Sequence, residues 1–293
     1  LIFKHKTTLN GHLGAVFGMC EGPGRGFFSV GGDGFVVFWP NEMHENGELI
    51  ARSDKALYCC HYLPIQNLLV CGGLEGVLYS IDLQQNKIIS SVKTGVSPIY
   101  SIIGTTTHII TAHGDGNLFF WQHDTFLIKN KLQLSSQAIR TLLPDGDFFY
   151  AGASDGFIYL VNTELQTLHH FFLAHEMSVF TLAKSDHFLY SGGRDAQLKI
   201  WDTQQNDQCI TSINAHMGTI NSLCFTDDWL VSAGRDKTMR IWNKDGRLAE
   251  SKNTFAKGHF HSVNKVISLP HTRELVSGSD DKTIIIWEPV SPS

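Results

Sequence analysis

One pattern, repeated seven times along 293 residues, constrains this chain more than any other feature. Trp39, Trp121, Trp201, Trp242 and Trp287 each close a short β-rich run, and an Asp stands six residues before each: Asp33, Asp115, Asp195, Asp236 and Asp281. Two weaker copies, Glu75 to Ile81 and Asp155 to Val161, fill the gaps with the same spacing. The seven run ends recur every 40 to 45 residues. Self-similarity at that period means copies of one supersecondary unit, each unable to bury its apolar surface alone.

Each unit reads as several short strands. From Leu189 to Trp201 the chain runs strand, tight turn, alternating strand, with Leu198 and Ile200 on one face and Lys199 on the other. Upstream, Val179 to Leu182 is an apolar run ended by the turn signal Lys184-Ser-Asp. No stretch carries an amphipathic helix over three turns, and 27 Gly against 8 Pro suits many tight turns. Hydrophobic residues at 42% and aromatics at 11% supply ample core, which excludes a disordered chain. The length alone suggests two domains. The unbroken repeat, without linker or low-complexity segment, reads instead as a single domain over residues 1–293.

Charge narrows the partners. With 23 basic and 28 acidic residues the net charge is −5, and no clustered basic surface suggests direct nucleic-acid binding. No apolar run approaches the ~18 residues of a membrane span. Cys20, Cys59, Cys60, Cys71, Cys209 and Cys224 form no CxxC pair and lack the density of a disulfide framework. A reducing compartment is expected: cytoplasmic, or nuclear in a eukaryote. The chain opens on Leu1 rather than Met, which is compatible with a trimmed N-terminus.

Gly11-His12, Gly258-His259, Ala174-His175 and Ala215-His216 precede four of the repeats, and Trp201-Asp202 is a literal Trp-Asp dipeptide. Elsewhere the ending drifts to Trp39-Pro40, Trp242-Asn243 and Trp287-Glu288. On these residues, essentially the whole chain resembles the WD-repeat β-propeller family. The resemblance implies an all-β, seven-bladed β-propeller of four-stranded antiparallel blades. It further implies closure of the last blade by an N-terminal strand. Here that strand is Ile2 to Leu9, joining a blade that ends with Ile284 to Trp287.

Four units place a Ser, a His, an Asp and a Trp at matching positions: Ser29, His12, Asp33, Trp39; Ser191, His175, Asp195, Trp201; Ser232, His216, Asp236, Trp242; and Ser277, His259, Asp281, Trp287. A hydrolase triad is the tempting reading. Trp only donates, ionised Asp only accepts, and Ser and neutral His do both. A directed chain Trp→Ser→His→Asp therefore satisfies every member. Catalysis needs such a set once, whereas this one recurs at the blade period; the resemblance likewise implies a structural tetrad. Blades two to four depart from it. They carry Ser53, Cys71, Glu75 and Ile81; then Gly95 in the His position with Thr111, Asp115 and Trp121; then Ser135, Ala151, Asp155 and Val161. Apolar packing is expected to pin these three blades, making them the more mobile arc.

Other candidates read as structural. Cys59-Cys60-His61 cannot converge on a metal from one strand, because neighbouring side chains point to opposite faces. His259 and His261 flank Phe260, with His259 already in a tetrad; His169-His170 falls on an exposed outer strand. Gly22-Pro-Gly-Arg-Gly26 lacks the helix that would make it a phosphate cradle and reads as a turn. Asn41 to Glu48, with three Glu, reads as a solvated loop. No metal and no cofactor are expected.

The resemblance implies a non-catalytic interaction scaffold, a monomeric propeller within a complex, that binds a protein or peptide. An enzyme with its site at the channel mouth is the alternative, but no unpaired nucleophile or acid–base pair stands outside the tetrads. A ubiquitin-ligase substrate receptor is a narrower alternative, lowered because Thr203-Gln204 follows Trp201-Asp202 where such receptors often carry Arg. In the family, partners use the third and fifth residues after the His and the residue before the Asp. The fifth positions here are Phe17, Tyr58, Tyr100, Arg140, Phe180, Asn221 and Asn264; the pre-Asp positions include Leu74, Arg194, Arg235 and Asp280. Four aromatics and three arginines in that set are the residue types of interface hot spots, and they point to an acidic or phosphorylated guest.

Overall fold

A computed structural model describes residues 2–40, 47–226 and 229–290. Its described residues form seven four-stranded antiparallel sheets, the blades of a β-propeller. Six blades use four consecutive strands, ordered from the inside outwards. The innermost strands are Val16–Glu21, Leu57–Leu63, Ile99–Gly104, Ile139–Asp145, Val179–Ser185, Ile220–Thr226 and Val263–Leu269. Each packs against the innermost strands of both neighbouring blades, so the seven close a ring. The acidic segment read as a loop lies outside the described residues as far as residue 46. Its last residue is corrected: Glu48 opens the outer strand Glu48–Arg52 of blade one.

The core is not one mass but seven slabs, each between two blades. Between blades one and two, Phe28, Val30 and Val36 meet Leu57, Cys60 and Leu69. Between two and three, Val70 and Leu78 meet Ile99, Ile109 and Trp121. The close fit explains a recurrent small residue on the second strand. A Cβ on Gly72, Gly152, Gly192 or Gly278 would come 2.7 Å from Ile99, Val179, Ile220 or Val16 of the next blade. Alternation along the strands thus buries one β-branched residue per blade against its neighbour's backbone.

Blade seven is closed from the other end of the chain. Phe3–Leu9 pairs antiparallel with Ile284–Pro289, from Phe3 opposite Pro289 to Leu9 opposite Ile284. A latch holds this strand to blade six. Glu250 accepts from the backbone N–H groups of Ile2 and Phe3 at 3.0 and 3.2 Å. Buried Lys252 pairs with Glu250 at 2.7 Å and donates to the Phe3 carbonyl. These bonds draw the carboxyl of Glu250 below its ordinary range against the opposing effect of burial.

Deleting residues 1–9 strips the ladder from Ile284–Pro289 and strands Lys252 beside an open edge. Unpaired edges template association. The truncated protein is expected to aggregate or lose most of its thermal stability, measured by light scattering and by Tm; a monomer with unchanged Tm would contradict ring closure by this strand.

Candidate functional site

All four Ser-His-Asp-Trp sets are hydrogen-bonded in the order their chemistry demands. Trp39 Nε1 donates to Ser29 Oγ at 2.8 Å, Ser29 meets His12 Nε2 at 2.8 Å, and His12 Nδ1 meets Asp33 at 2.9 Å. In blades five and six the Trp–Ser, Ser–His and His–Asp steps are 2.9, 2.7 and 2.9 Å, and 2.8, 2.7 and 2.9 Å. In blade seven all three are 2.9 Å. The four serines are 0% exposed and each hydroxyl already serves both Trp and His, so no substrate can reach them.

Three of the four Asp also fix a loop on the same end of their blades. Asp33, Asp236 and Asp281 accept the backbone N–H of Leu13, Met217 and Phe260 at 2.7, 3.0 and 2.9 Å. Burial alone would raise these carboxyls. For Asp236 and Asp281, the hydrogen bonds and charge of the partner His, joined by a Thr hydroxyl and the loop N–H, hold them well below the ordinary range. Asp33 and Asp195 are lowered for the same kind of reason. Burial lowers His12 against the opposing pull of Asp33.

The expectation that apolar packing alone pins blades two to four is corrected: each has a polar anchor of its own. In blade three Trp121 donates to Thr111 at 2.9 Å, and Thr111 meets His113 Nε2 at 2.8 Å. His113 stands two residues after the hydroxyl, where blades five and six carry Gly193 and Gly234. There a Cβ would come 2.5 Å from the tetrad His. With Gly95 vacating the His position, that space is free for a ring grown from the second strand. Burial then pushes His113 down to about 4. In blade four Ser135 and Tyr159 both donate to Asp155, at 2.5 and 2.7 Å. In blade two Ser53 reaches the matching Tyr79 hydroxyl at 3.3 Å. The compensating pair His-to-Gly and Gly-to-His was visible in the sequence, and so was a tyrosine four residues after the acidic position in blades two and four, Tyr79 after Glu75 and Tyr159 after Asp155. Cys59 and Cys60 are buried on an inner strand, and the Cys60 thiol contacts Cys20 Sγ at 3.5 Å rather than its sequence neighbours. Among the described residues, no three His, Cys, Asp or Glu side chains come together as metal ligands.

The seven fifth positions share one structural feature. The register between first and second strand slips once in every blade: between Val16 and Gly18, Leu57 and Cys59, Ile99 and Ser101, Ile139 and Thr141, Val179 and Thr181, Ile220 and Ser222, and Val263 and Lys265. The residue in each gap is Phe17, Tyr58, Tyr100, Arg140, Phe180, Asn221 or Asn264. A bulge leaves its residue out of the ladder and re-aims the side chain. All seven line one cavity of about 140 Å³ at the channel mouth. The pre-Asp residues are tied to the same rim. Leu74, Ser154, Arg194, Arg235 and Asp280 donate backbone N–H to the carbonyls of Ala56, Ala138, Ser178, Thr219 and Ser262, the third positions after the His.

The rim falls into two parts. Phe17 meets Tyr58 edge-on at 5.4 Å, and Tyr58 stacks on Tyr100 at 5.7 Å. The Arg140 guanidinium lies 4.3 Å from the Tyr100 ring centroid and 5.3 Å from that of Phe180, with Nε donating to Ser154 Oγ at 2.8 Å. Asn221 and Asn264 instead stitch blades together. Asn221 donates to Ser262 and to the Val263 carbonyl, and Asn264 to the Val16 carbonyl and to Asp280 at 2.7 Å. Among the described residues, Arg140, Arg194 and Arg235 have no carboxylate within ion-pair distance.

A ring of seven such blades defines a β-propeller, and comparison with known proteins gives its kind. A family model described as WD domain, G-beta repeat, matches residues 3–40, 165–202, 207–243 and 250–288, more than half of the chain. The chain belongs to the WD40 repeat family. The four matched stretches are those ending in complete tetrads. Over 129 residues it is 25% identical to a guanine nucleotide-binding protein subunit beta of Lymnaea stagnalis, covering 42% of this chain and 38% of that one. Over 225 residues it is 21% identical to the same-named protein of Oryza sativa subsp. indica, covering 73% and 51%. The chain spans about half or less of the length of these relatives. The WD40 beta propeller domain of Doa1 superposes with a TM-score of 0.87 at 19% identity, over 98% of this chain and 96% of that one, a likeness of fold. WD40 propellers generally mediate protein–protein interaction and are typically non-catalytic.

Two outcomes are expected for the tetrads. Replacing His175 by Ala removes one hydrogen-bond partner from buried Ser191 and one from Asp195 and should cost ~1–3 kcal/mol in denaturant unfolding, with the ring intact by circular dichroism. Acid should act through the same carboxylates. Their folded pKa values lie below the unfolded ones, so their contribution is complete above the ordinary Asp value of about 3.9. It drains away as pH falls from there towards the folded values. Asp236→Asn should flatten the acid limb of a Tm-against-pH curve relative to wild type; an unchanged limb would show that the carboxylate is not linked to folding.

Proposed function

We propose that this protein is a non-catalytic interaction module that holds a partner protein or peptide at the channel mouth ringed by the seven bulges. The observation that carries this reading is Arg140. A guanidinium sandwiched between Tyr100 and Phe180 and fixed through Nε keeps its two terminal nitrogens for a guest. Arginine prefers carboxylate or phosphate, which it grips through paired hydrogen bonds. Exposed Arg194 and Arg235 extend the same preference outwards along the rim. Phe17, Tyr58 and Tyr100 supply the flat, desolvating surface of an interface hot spot. The guest this rim suits is an acidic or phosphorylated segment. All six cysteines are free, which accords with work in a reducing compartment, the cytoplasm or nucleus.

Charge reversal at Arg140 and Arg194 together should weaken capture of the partner from source-cell extract by at least tenfold, about 1.4 kcal/mol, with Tm preserved. The measurement is quantitative affinity capture against wild type. Unchanged capture by the double variant, with loss on mutating the opposite face, would refute the mouth as the docking site.

A further inference from the structure

At five junctions between blades, the residue three places after the bulge of one inner strand packs with the residue two places after the bulge of the next. Ile103 packs with Leu142, Leu143 with Leu182, Ala183 with Leu223, Cys224 with Val266 and Ile267 with Met19. At least one partner of each pair is aliphatic. Between blades one and two both places hold cysteine instead. Cys20 of Val16–Glu21 and Cys60 of Leu57–Leu63 bring their thiols to 3.5 Å, no more than the contact distance of two sulfur atoms. The two strands run close just before the pair: a Cβ on Gly18 would come 3.0 Å from Cα of Cys59. Ring packing therefore creates a dithiol from residues that stand on different blades.

The two thiols differ in access. Cys20 is half-buried and lines a cavity of about 640 Å³ formed by the ends of the inner strands of blades one, two, six and seven. Cys60 is 8% exposed, and Cys71, opposite it on the second strand, is 0% exposed. A small oxidant arriving through the cavity therefore meets Cys20 first, with the Cys60 sulfur directly behind it. The hydrogen bond with Cys60 and burial raise the Cys20 thiol well above its ordinary range. The thiolate is the reactive form, so the pair reacts slowly at neutral pH and rests as a dithiol until oxidant is abundant.

We propose that Cys20 and Cys60 are the two halves of a reversible disulfide, made with a hydroperoxide as oxidant, that staples blade one to blade two. In the first step the Cys20 thiolate attacks the terminal oxygen of the peroxide. The O–O bond breaks, the alkoxide leaves and takes up a proton, and Cys20 becomes a sulfenic acid. In the second step the Cys60 sulfur attacks Cys20 Sγ. The S–O bond breaks, and hydroxide leaves as water with the Cys60 proton. The two thiols lose two electrons and two hydrogens, and the peroxide is reduced to an alcohol and water. The sulfurs draw together from 3.5 Å to about 2.05 Å, a shift that a χ1 rotation of either side chain spans. The bond closes residues 20–60 into one loop, which restricts the unfolded chain and so favours the folded ring.

The test treats the whole chain with hydrogen peroxide at mildly alkaline pH, then unfolds it in iodoacetamide to block the remaining thiols. Cross-links are read by mass spectrometry of non-reduced digests, and Tm by calorimetry before unfolding. Wild type should yield one Cys20–Cys60 bond, gain about 5 °C in Tm, and revert with dithiothreitol. Cys71→Ala should leave the bond in place. Cys20→Ala, at the half-exposed partner where folding is least at risk, should abolish both the bond and the gain. Exposed Cys209 is the internal control for oxidant delivery. Oxidised Cys209 with Cys20 and Cys60 still reduced overturns the proposal, as does a cross-link that survives Cys20→Ala by joining Cys60 to Cys71. Cys20 driven on to sulfinic acid without a cross-link overturns it too, because Cys60 would then be unable to reach it. A Cys20–Cys60 bond with no gain in Tm refutes the staple, since the bond would then strain the junction rather than hold it.

Discussion

A four-stranded sheet has two faces to bury, and in this chain the cover for each is the next sheet. Phe28 and Val36 of blade one are buried only because Leu57 and Leu69 of blade two lie against them, and so on around the circle. An open array of this kind would end in two bare faces and need capping units. The ring avoids caps by joining its ends, so the pairing of Phe3–Leu9 with Ile284–Pro289 is a condition on every other contact. The latch of Glu250 and Lys252 lies at that join. Within each tetrad blade a polar chain ties the outer half to the inner, and in blades one and six the tetrad Asp also holds the loop that leads into that blade's own inner strand.

The same geometry decides where side chains are free to vary. A bulge recurs in all seven inner strands, and the residue it expels has no ladder partner to satisfy. Its identity can follow the needs of the mouth rather than of the sheet. Near the seam the mouth is used for stability: Asn221 and Asn264 bond across blades six, seven and one. Away from the seam it carries Tyr58, Tyr100 and Arg140, which contact one another through ring faces and leave polar capacity unspent.

Much of this was legible in the sequence because the repeat is punctuated by residues with rigid requirements. Trp at the end of the third strand and Asp six residues earlier are bound through one Ser and one His, so their spacing cannot drift. What spacing could not convey is substitution in three dimensions. His113 reaches from the second strand the space that His12 or His175 reaches from the preceding loop, so the interaction survives although the register position is lost. Tyr79 and Tyr159 do likewise from the third strand. The fifth positions were found by resemblance, and the bulge that unites them is silent in sequence, since its seven residues share no chemistry. The thiol pair between blades one and two was silent too: Cys20 and Cys60 sit on different inner strands, and nothing local marks them as neighbours.

The blades that break the repeat also carry part of the uncommitted chemistry, beside Phe17, Phe180, Arg194 and Arg235 of blades with full tetrads. Blades two, three and four lack the full tetrad. They also supply Tyr58, Tyr100 and Arg140 to the mouth, and Asp124, Asp147 and Thr163 to a cavity at the opposite end. A sequence that satisfies a local rule in most copies and breaks it in a contiguous few is expected to do so where function competes with regularity. Drift alone would scatter the departures around the ring and leave the blades to weaken. Here they are contiguous, and each is met by a replacement anchor, His113, Tyr79 or Tyr159. The arc has internal ties of its own, and it presents Tyr58, Tyr100 and Arg140 at one end and Asp124 and Asp147 at the other.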